Sequence, residues 1–357
     1  MSSVFGNNIR LSVFGESHGE AIGCVIDGLP CGIMLDTEKI KKEMKRRAPG
    51  RDKSATPRKE ADEPEILSGV LNGKTTGAPL AMIIKNTNTK SGDYENIMKL
   101  PRPGHSDYPA YVKYSGNNDI RGGGHFSGRL TAPLVFAGAV AKQILSQKGI
   151  TIGSHIKKIG SAEDAGFDKN NISAEQLEAL RSSLFAVING EKEAEMRSVI
   201  EAARLQGDSV GGIIECAAVG LPVGIGGNMF DTVESRLSTA LFGIPAVKGV
   251  EFGAGFGFAD MTGSRANDAY EIKDGKVALK TNNNGGVLGG MTSGAPIVFS
   301  VVIKPTPSIS AQQDSVNLQT MENEKLVIRG RHDPCIVPRA LPVVEGVCAF
   351  ALLDLMM

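Results

Sequence analysis

The sequence contains no tryptophan, and aromatic residues make up only 5% of its 357 residues. Proteins that bind single-stranded nucleic acid depend on aromatic side chains for base stacking, so this class is disfavoured. The 39 basic and 39 acidic residues cancel, which leaves no overall field that would attract nucleic acid or an anionic membrane. No apolar run reaches the length of a membrane span. We therefore expect neither a nucleic-acid nor a membrane partner.

Cysteine is also scarce. The sequence has five cysteines, an odd number, and no C-x-x-C pair. Disulfides and a zinc site are both disfavoured, and a reducing compartment is favoured. The first residues lack the basic region and apolar run that a secretory signal requires. We expect a soluble, cytoplasmic protein without a metal.

Glycine is abundant, at 44 residues, and a Gly-Gly-Gly run lies in the segment 101–134. A glycine-rich approach to a helix start is expected to leave backbone N–H groups unpaired and directed outward, which suits an anion. A flexible loop with solvated arginines is the alternative. Histidines, which titrate near neutral pH, favour an active-site wall instead. The candidate side chains in this segment are Arg102, His105, Arg121, His125, Ser127, Arg129 and Thr131.

The N-terminal part alternates apolar and polar residues, which predicts strands at 8–15 and 21–26. The glycine-bracketed turn between them carries His18, which is a candidate site residue because the glycines make room for a ligand. A helix is predicted over 37–47, capped by Asp36 or Thr37 and ending in cations. The basic loop 51–59 that follows is either a solvated surface or a flap over a polyanion.

The rest of the chain predicts mixed α and β content. Glycine-rich residues 282–294 are expected to form a binding loop rather than a packed element, and 309–325 to be a polar excursion. Two similar hexapeptides, RLTAPL (129–134) and RLSTAL (236–241), make an internal duplication of two halves possible. Further strands are predicted at 65–71, 78–84, 150–158, 211–220 and 295–304. Helices are predicted at 134–145, with Pro133 near the first turn and Gly149 past the end, and at 174–188, 191–205, 231–242 with Asp231 as cap, and 339–357.

Six separated motifs together resemble the chorismate synthase family over essentially the whole chain. They are GESHG (15–19), RRAPG (46–50), RPGHSD (102–107), GGGHFSGRLT (122–131), KPTPS (304–308) and GRHDPC (330–335). The resemblance implies a lyase that converts 5-enolpyruvylshikimate-3-phosphate to chorismate in the shikimate pathway of aromatic amino-acid biosynthesis. The reaction is an anti 1,4-elimination of phosphate that requires reduced FMN without net redox change.

The resemblance also implies a fold and an assembly. We expect an α+β fold in which antiparallel sheets sandwich helices, a single domain over 1–357, and a homotetramer. NADPH is a possible reductant of the flavin. An arginine-rich pocket suits a substrate that carries two carboxylates and a phosphate, beside the phosphate of FMN.

By the family pattern, His18 and His105 match the histidines thought to protonate the departing phosphate and the reduced flavin, and Asp333 the carboxylate thought to help take a proton. The substrate-binding positions implied are Arg47, Lys53, Arg102, Ser127 and Arg129. The flavin-binding positions implied are His125, Phe126, Ser127, Arg265, Ala266, Gly289, Lys304, Pro305, Thr306, Pro307, Ser308 and Arg331.

The chain departs from the common family pattern at a few site positions. Many members have Arg, Ser and Glu where this chain has His125, Phe126 and Leu130, and many have Arg where it has Lys53. A histidine is not a permanent cation, and a lysine lacks the bidentate geometry of arginine. Two rival functions therefore stay open: a flavin-dependent oxidoreductase on the same scaffold, and a flavin- or phosphate-binding protein without turnover.

Overall fold

The structure, a computed structural model, describes residues 3–50, 62–87, 99–328 and 333–357. Its strands are β1 (Val4–Phe5), β2 (Arg10–Gly15), β3 (Ala21–Asp27), β4 (Glu65–Ser68), β5 (Val70–Leu71), β6 (Lys74–Thr75), β7 (Leu80–Lys85), β8 (Thr151–Ile159), β9 (Ala162–Glu163), β10 (Gly212–Val219), β11 (Val247–Phe252), β12 (Tyr270–Lys273), β13 (Lys276–Leu279), β14 (Val287–Leu288), β15 (Met291–Thr292), β16 (Ile297–Ile303), β17 (Gln313–Asn317) and β18 (Glu322–Leu326). Its helices are α1 (Thr37–Arg47), α2 (Asp107–Lys113), α3 (Thr131–Ser146), α4 (Ala174–Ser182), α5 (Glu191–Leu205), α6 (Val233–Phe242), α7 (Gly263–Ala266) and α8 (Val337–Met356).

The strands form two antiparallel five-stranded sheets, with orders β1-β2-β3-β7-β4 and β11-β16-β10-β8-β9. In β3, Ile22, Cys24 and Ile26 are buried, as expected when alternate side chains of a strand point to one face. The remaining strands pair as short hairpins. Each large sheet therefore presents an apolar face to the interior.

The longest apolar helices fill the space between the sheets. Helix α3 contacts β3 of the first sheet, α8 contacts β8 and β10 of the second, and the two helices contact each other. They approach at their backbones, because a Cβ on Gly138 would lie 2.1 Å from Cα of Gly346. The predicted α+β class, with antiparallel sheets around helices, is confirmed. No helix among the described residues has the length and apolarity to cross a membrane.

A cluster of buried charges joins α1, α3 and α8. Glu345 accepts hydrogen bonds from Arg46 at 2.6 and 2.8 Å, from Lys142 at 2.6 Å and from Ser154 at 2.8 Å. Glu43 accepts from Arg46 at 2.8 Å and from Lys142 at 2.9 Å. Buried charges are tolerated when they are paired in this way. The cluster fixes how the three helices meet.

Several local predictions are confirmed and others are wrong. Helix α1 has the predicted bounds, and Asp36 caps it by accepting from two backbone N–H groups. Helix α4 ends at Ser182 rather than 188, and α6 is capped by Thr232 rather than Asp231. The segments predicted as a loop at 282–294 and a polar excursion at 309–325 contain the hairpins β14–β15 and β17–β18. The basic loop 51–59 lies outside the described residues.

Candidate active site

A cavity of about 1150 Å³ is bounded by β1 and β2, the start of β11, and the helices α3, α6 and α8. Part of its lining is apolar and part is charged, which suits a pocket that holds flat rings and anionic groups. The apolar lining includes Phe5, Leu134, Val343, Val347 and Phe350. All six sequence motifs contribute residues to the lining.

Most of the predicted site residues lie in this cavity. Arg265, Ala266, Gly289 and Pro305 are not among its lining residues, and the predicted positions Lys53 and Arg331 fall outside the described part of the chain. The roles of all these residues stay predictions. The lining residues that the sequence predicted are His18, Arg47, Arg102, His105, His125, Phe126, Ser127, Arg129, Lys304, Thr306, Pro307, Ser308 and Asp333.

The glycine run supports both predicted catalytic histidines. Gly122, Gly123 and Gly124 all have positive φ angles, of 60°, 86° and 54°, which side chains rarely adopt. A Cβ on Gly122 would lie 2.3 Å from Cε1 and Nδ1 of His18, and one on Gly123 would lie 3.3 Å from Cε1 and Nε2 of His105. The glycines are therefore needed because imidazole rings lie against their backbone.

The expectation that the N–H groups of this run are unpaired is wrong for Gly123. Its N–H donates to the carbonyl of Ile120 at 3.0 Å. The carbonyl of Gly124 accepts from the N–H of Ser17 at 3.1 Å, which ties the run to the turn that carries His18. The glycine run thus positions side chains, and its Gly123 N–H is already paired within the protein.

His105 lies in a network with Asp107 and Arg102. Its Nδ1 is 2.5 Å from Oδ1 of Asp107. Asp107 also accepts from Arg102 Nε at 2.7 Å and from a terminal guanidinium nitrogen at 2.8 Å. Burial would raise the pKa of Asp107, but the hydrogen bonds from Arg102 and His105 outweigh burial and hold it well below its ordinary value. Asp107 is therefore an anion beside a candidate proton donor.

The RPGHSD and KPTPS motifs contact each other at this network. Arg102 donates to Ser308 Oγ at 3.1 Å, and the Lys304 ammonium donates to the carbonyl of Gly104. Burial, together with the charge of Lys248, lowers the pKa of Lys304. Arg102 thus lines the cavity, while N–H groups of its guanidinium donate to other protein groups.

Arg47 and Arg129 share a buried carboxylate, Asp62. Asp62 accepts from Arg47 at 2.5 Å and also from Arg129. Burial would raise its pKa, but the two guanidinium charges outweigh burial and lower it. Arg47 further donates to Thr131 Oγ1 at 3.1 Å. The two arginines predicted to bind substrate are therefore held together in one corner of the cavity.

Asp333 faces an arginine that sequence reasoning missed. Its carboxylate accepts from Arg339 of α8 at 2.5 Å, and Arg339 Nε donates to the carbonyl of Arg47 at 3.0 Å. Thr306 Oγ1 donates to the carbonyl of Asp333 at 2.9 Å. Arg339 thus connects the predicted proton acceptor to the arginine corner.

His125, which replaces the arginine common in the family, makes two contacts with the N-terminal part of the chain. Its Nδ1 lies 2.7 Å from the carbonyl of Gly15. A carbonyl only accepts, so Nδ1 carries the proton. Ser3 Oγ lies 2.9 Å from Nε2. His125 therefore holds the end of β2, just before the turn that carries His18, while it borders the cavity.

Comparison with known proteins decides the family. The chorismate synthase family model matches residues 9–357. The chain is 51% identical over 349 residues to the chorismate synthase of Thermococcus kodakarensis, covering 98% of this chain and 96% of that protein. It is 51% identical over 352 residues to that of Pyrococcus abyssi, with the same coverage. The chain belongs to the chorismate synthase family.

A solved structure supports the same conclusion for the fold. A crystal structure of chorismate synthase superimposes with a TM-score of 0.75 at 30% identity, covering 98% of this chain and 91% of that one. The family resemblance, the α+β class and the enzyme class predicted from the sequence, a carbon–oxygen lyase acting on phosphates, are confirmed. The single domain and the internal duplication stay predictions.

Three charged residues of the chorismate synthase site were not predicted from the sequence: Asp62, Asp107 and Arg339. Asp107 belongs to the RPGHSD motif and follows His105 by two residues, which is a signal that could have identified it. Asp62 and Arg339 lie in segments whose patterns indicate no chemistry. Asp62 contacts Arg47 and Arg129, 15 and 67 residues away, and Arg339 contacts the carbonyl of Arg47, 292 residues away, besides the nearby Asp333. Only the folded chain brings these arginines together.

Proposed function

We propose that the chain forms chorismate from 5-enolpyruvylshikimate-3-phosphate by anti 1,4-elimination of phosphate, with reduced FMN bound and no net redox change. The observation that carries the proposal is the meeting of two histidines, the Arg47–Arg129 corner and Asp333 in one cavity. An anionic substrate needs the arginines, and an elimination that releases phosphate needs proton donors near the leaving group.

The cavity fits a flavin beside the substrate. Its volume of about 1150 Å³ exceeds the usual range of about 300–1,000 Å³ for a single small-molecule site. The apolar lining suits a flat ring system, while Lys304, Thr306 and Ser308 offer an ammonium and two hydroxyls for its polar groups. When bound, reduced FMN supplies electron density as the C–O bond breaks and recovers it with the ring hydrogen.

The chain's own residues bind anions and place protons. Arg47 and Arg129 hold a carboxylate or phosphate of the substrate by charge-assisted hydrogen bonds. His18 gives a proton to the departing phosphate oxygen, and His105 holds a second proton within the cavity. Asp333, fixed by Arg339, accepts a proton at a carboxylate oxygen. The surrounding apolar side chains exclude water, which strengthens each of these interactions.

An anaerobic turnover experiment tests the proposal. A catalytic amount of chemically reduced FMN is mixed with protein and a large excess of substrate, while flavin absorbance and released phosphate are followed. We expect one phosphate per chorismate and an unchanged flavin spectrum, and no product with oxidised FMN alone. Flavin oxidation in proportion to product would indicate an oxidoreductase. Flavin binding without phosphate release would indicate a binding protein.

We further propose a homotetramer in the cytoplasm that serves aromatic amino-acid biosynthesis. Large apolar side chains that stay exposed, among them Met229, Phe230 and Phe256 at 78%, 87% and 88%, support subunit contacts. The five cysteines are free thiols, which suits a reducing compartment. Light scattering tests the tetramer. Adding NADPH to the enzyme with oxidised FMN tests whether the chain reduces its own flavin.

A further inference from the structure

We propose that Asp107 is a positioning residue that holds His105 with a proton on Nδ1, so that Nε2 is the nitrogen that exchanges protons in the cavity. The inference rests on the proposed function, in which His105 holds a catalytic proton. Asp107 is not among the residues that line the cavity, whereas His105 is. Asp107 therefore acts through His105 rather than on substrate or flavin.

Arg102 fixes the orientation of the Asp107 carboxylate. Asp107 is the first residue of α2 and is only 8% exposed. It accepts three hydrogen bonds from Arg102: from the backbone N–H at 3.0 Å, from Nε at 2.7 Å and from a terminal nitrogen at 2.8 Å. A carboxylate held by a bidentate arginine has little freedom to rotate. Its Oδ1 is thereby kept 2.5 Å from Nδ1 of His105.

This contact requires a proton on the imidazole. Two bare lone pairs would repel at 2.5 Å, so a proton lies between the oxygen and the nitrogen. The Asp107 pKa lies well below its ordinary value, so the proton belongs to Nδ1. A terminal nitrogen of Arg102, which can only donate, also lies 3.1 Å from Nδ1, and Ser106 Oγ lies 3.4 Å from it. Both distances are longer than the 2.5 Å contact with Asp107, so we take the contact with Asp107 to decide the protonation of Nδ1.

A fixed Nδ1 proton determines what Nε2 can do. In a neutral imidazole one nitrogen donates and the other accepts, and the partner of one nitrogen decides the tautomer. With Nδ1 committed to Asp107, Nε2 accepts in the neutral ring and donates in the charged ring. These are the two states between which a proton-transfer residue alternates. In the Asp–His pairs of hydrolases, the aspartate likewise holds the histidine in one tautomer while the other ring nitrogen transfers the proton.

The first measurement uses the wild-type protein. Histidine-selective ¹⁵N labelling and magnetic resonance report which ring nitrogen of His105 is protonated, with the His105→Gln variant used to assign the signal among the five histidines. The pH is raised until the ring is neutral. We expect the Nδ1–H tautomer. A neutral ring protonated at Nε2 would overturn the proposal, and this measurement does not depend on turnover.

The second measurement uses Asp107→Asn, with Asp354→Asn as a matched control. Asp354 is also buried and accepts from an arginine, Arg236, at 2.5 Å, but among the described residues it has no hydrogen bond or ion pair with a histidine. For Asp107→Asn we expect an Nε2–H population to appear and kcat to fall by about 10²-fold, with the substrate KM nearly unchanged. For Asp354→Asn we expect lower stability, with kcat and the His105 signal unchanged.

The outcomes separate this inference from the proposed function. Loss of kcat in Asp107→Asn without a change of tautomer would refute positioning, as would normal kcat with the tautomer changed. If Asp107→Asn does not fold, the wild-type tautomer decides alone. If the wild-type enzyme forms no chorismate with reduced FMN, the proposed function fails, whereas the nitrogen measurement still tests the Asp107–His105 contact.

Discussion

Substitution of Gly122 tests whether His18 must lie where the structure places it. A Cβ at Gly122 would lie 2.3 Å from two atoms of the His18 ring and 2.8 Å from Ser17 Oγ, whereas ordinary contacts begin near 3.4 Å. Gly122→Ala must therefore displace the ring by about 1 Å, and a displacement of that size costs about 10²-fold in rate. We expect turnover to fall by that factor while substrate and flavin still bind.

Gly149→Ala is a control for the backbone strain that Gly122→Ala introduces. Gly122 has φ +60°, and an alanine in the left-handed region costs about 1–2 kcal/mol. Gly149 has φ +76° and nothing within 4 Å of its Cβ position, so Gly149→Ala carries the strain without the clash. In urea, Gly149→Ala should lose only the free energy of the backbone strain, and Gly122→Ala should lose at least as much because it adds the clash. Only Gly122→Ala should lose activity.

The assay is anaerobic phosphate release with reduced FMN, at saturating substrate, for wild type, Gly122→Ala, Gly149→Ala and His18→Ala. His18→Ala sets the scale, because removal of general acid–base help costs about 10²–10⁴-fold. Near-wild-type turnover in Gly122→Ala, with His18→Ala inactive, would refute the argument from geometry. Near-wild-type turnover in both would remove His18 from the mechanism.

Two further substitutions test the charged residues of the cavity. Asp333→Asn should keep flavin affinity but lose turnover, because the amide retains the shape of the carboxylate and loses its basicity. If flavin affinity falls sharply while turnover at saturating flavin stays intact, the Asp333–Arg339 pair has a structural role instead. Arg129→Lys should raise the substrate KM, because an ammonium cannot make the two parallel hydrogen bonds of a guanidinium. The control, Lys325→Arg at an exposed ion pair, should leave the KM unchanged. Equal small effects in both variants would place Arg129 outside the substrate site.

The elements that the sequence predicted well are those whose signals are local. Helix α1 is specified by its own cap, Asp36, and by the basic residues of its last turn, so no distant contact is needed to define it. Helix α5 also has the predicted bounds. Alternating or continuous apolar patterns likewise located β2, β3, β8, β10 and β16 to within a few residues.

The error at the end of α4 occurs where distant partners override local preference. Residues after Ser182 do not continue α4, because the carbonyl of Ala186 accepts from Ile156 of β8 and the carboxylate of Asp164 accepts from the N–H of Ile188. The error at the start of α6 is local instead: Thr232 Oγ1 accepts from Ser235 N at 3.0 Å, so the cap is Thr232 rather than the adjacent Asp231. Both residue types are good caps, and the sequence alone does not choose between two neighbouring candidates.

The predictions of the site residues likewise succeeded where the signal is local and failed where it is not. The motifs named most of the residues that meet in the cavity, because the residues of a motif indicate its chemistry directly. The carboxylates that hold these residues in place were not predicted. Asp62, for example, binds Arg47 and Arg129, which lie in other parts of the sequence. Nor did the sequence assign a purpose to Glu345, an acidic residue in an apolar helix, because its partners Arg46 and Lys142 lie on other helices.

Glu345 also provides a test of how the central helices are held together. Its side chain is fully buried. Burial would raise its pKa, but the charges of Arg46 and Lys142 outweigh burial and lower it from 4.5 to about 2. Because the folded-state pKa is the lower one, the stabilisation is complete above about pH 4.5 and is lost as the pH falls toward 2.

Glu345→Gln should therefore lower the free energy of unfolding at neutral pH by about 3–5 kcal/mol, because it leaves two buried cations with only Glu43 as a partner. In the variant, stability should also fall less steeply with acid, since the titrating group is gone. Urea unfolding at pH steps from neutral to about 3 measures both effects. Glu201→Gln, which breaks an exposed pair with Arg204, is the control and should leave stability nearly unchanged, because water screens an exposed ion pair. Equal acid dependence in wild type and Glu345→Gln would show that Glu345 has the same pKa in the folded and the unfolded chain, which would refute its stabilisation by Arg46 and Lys142.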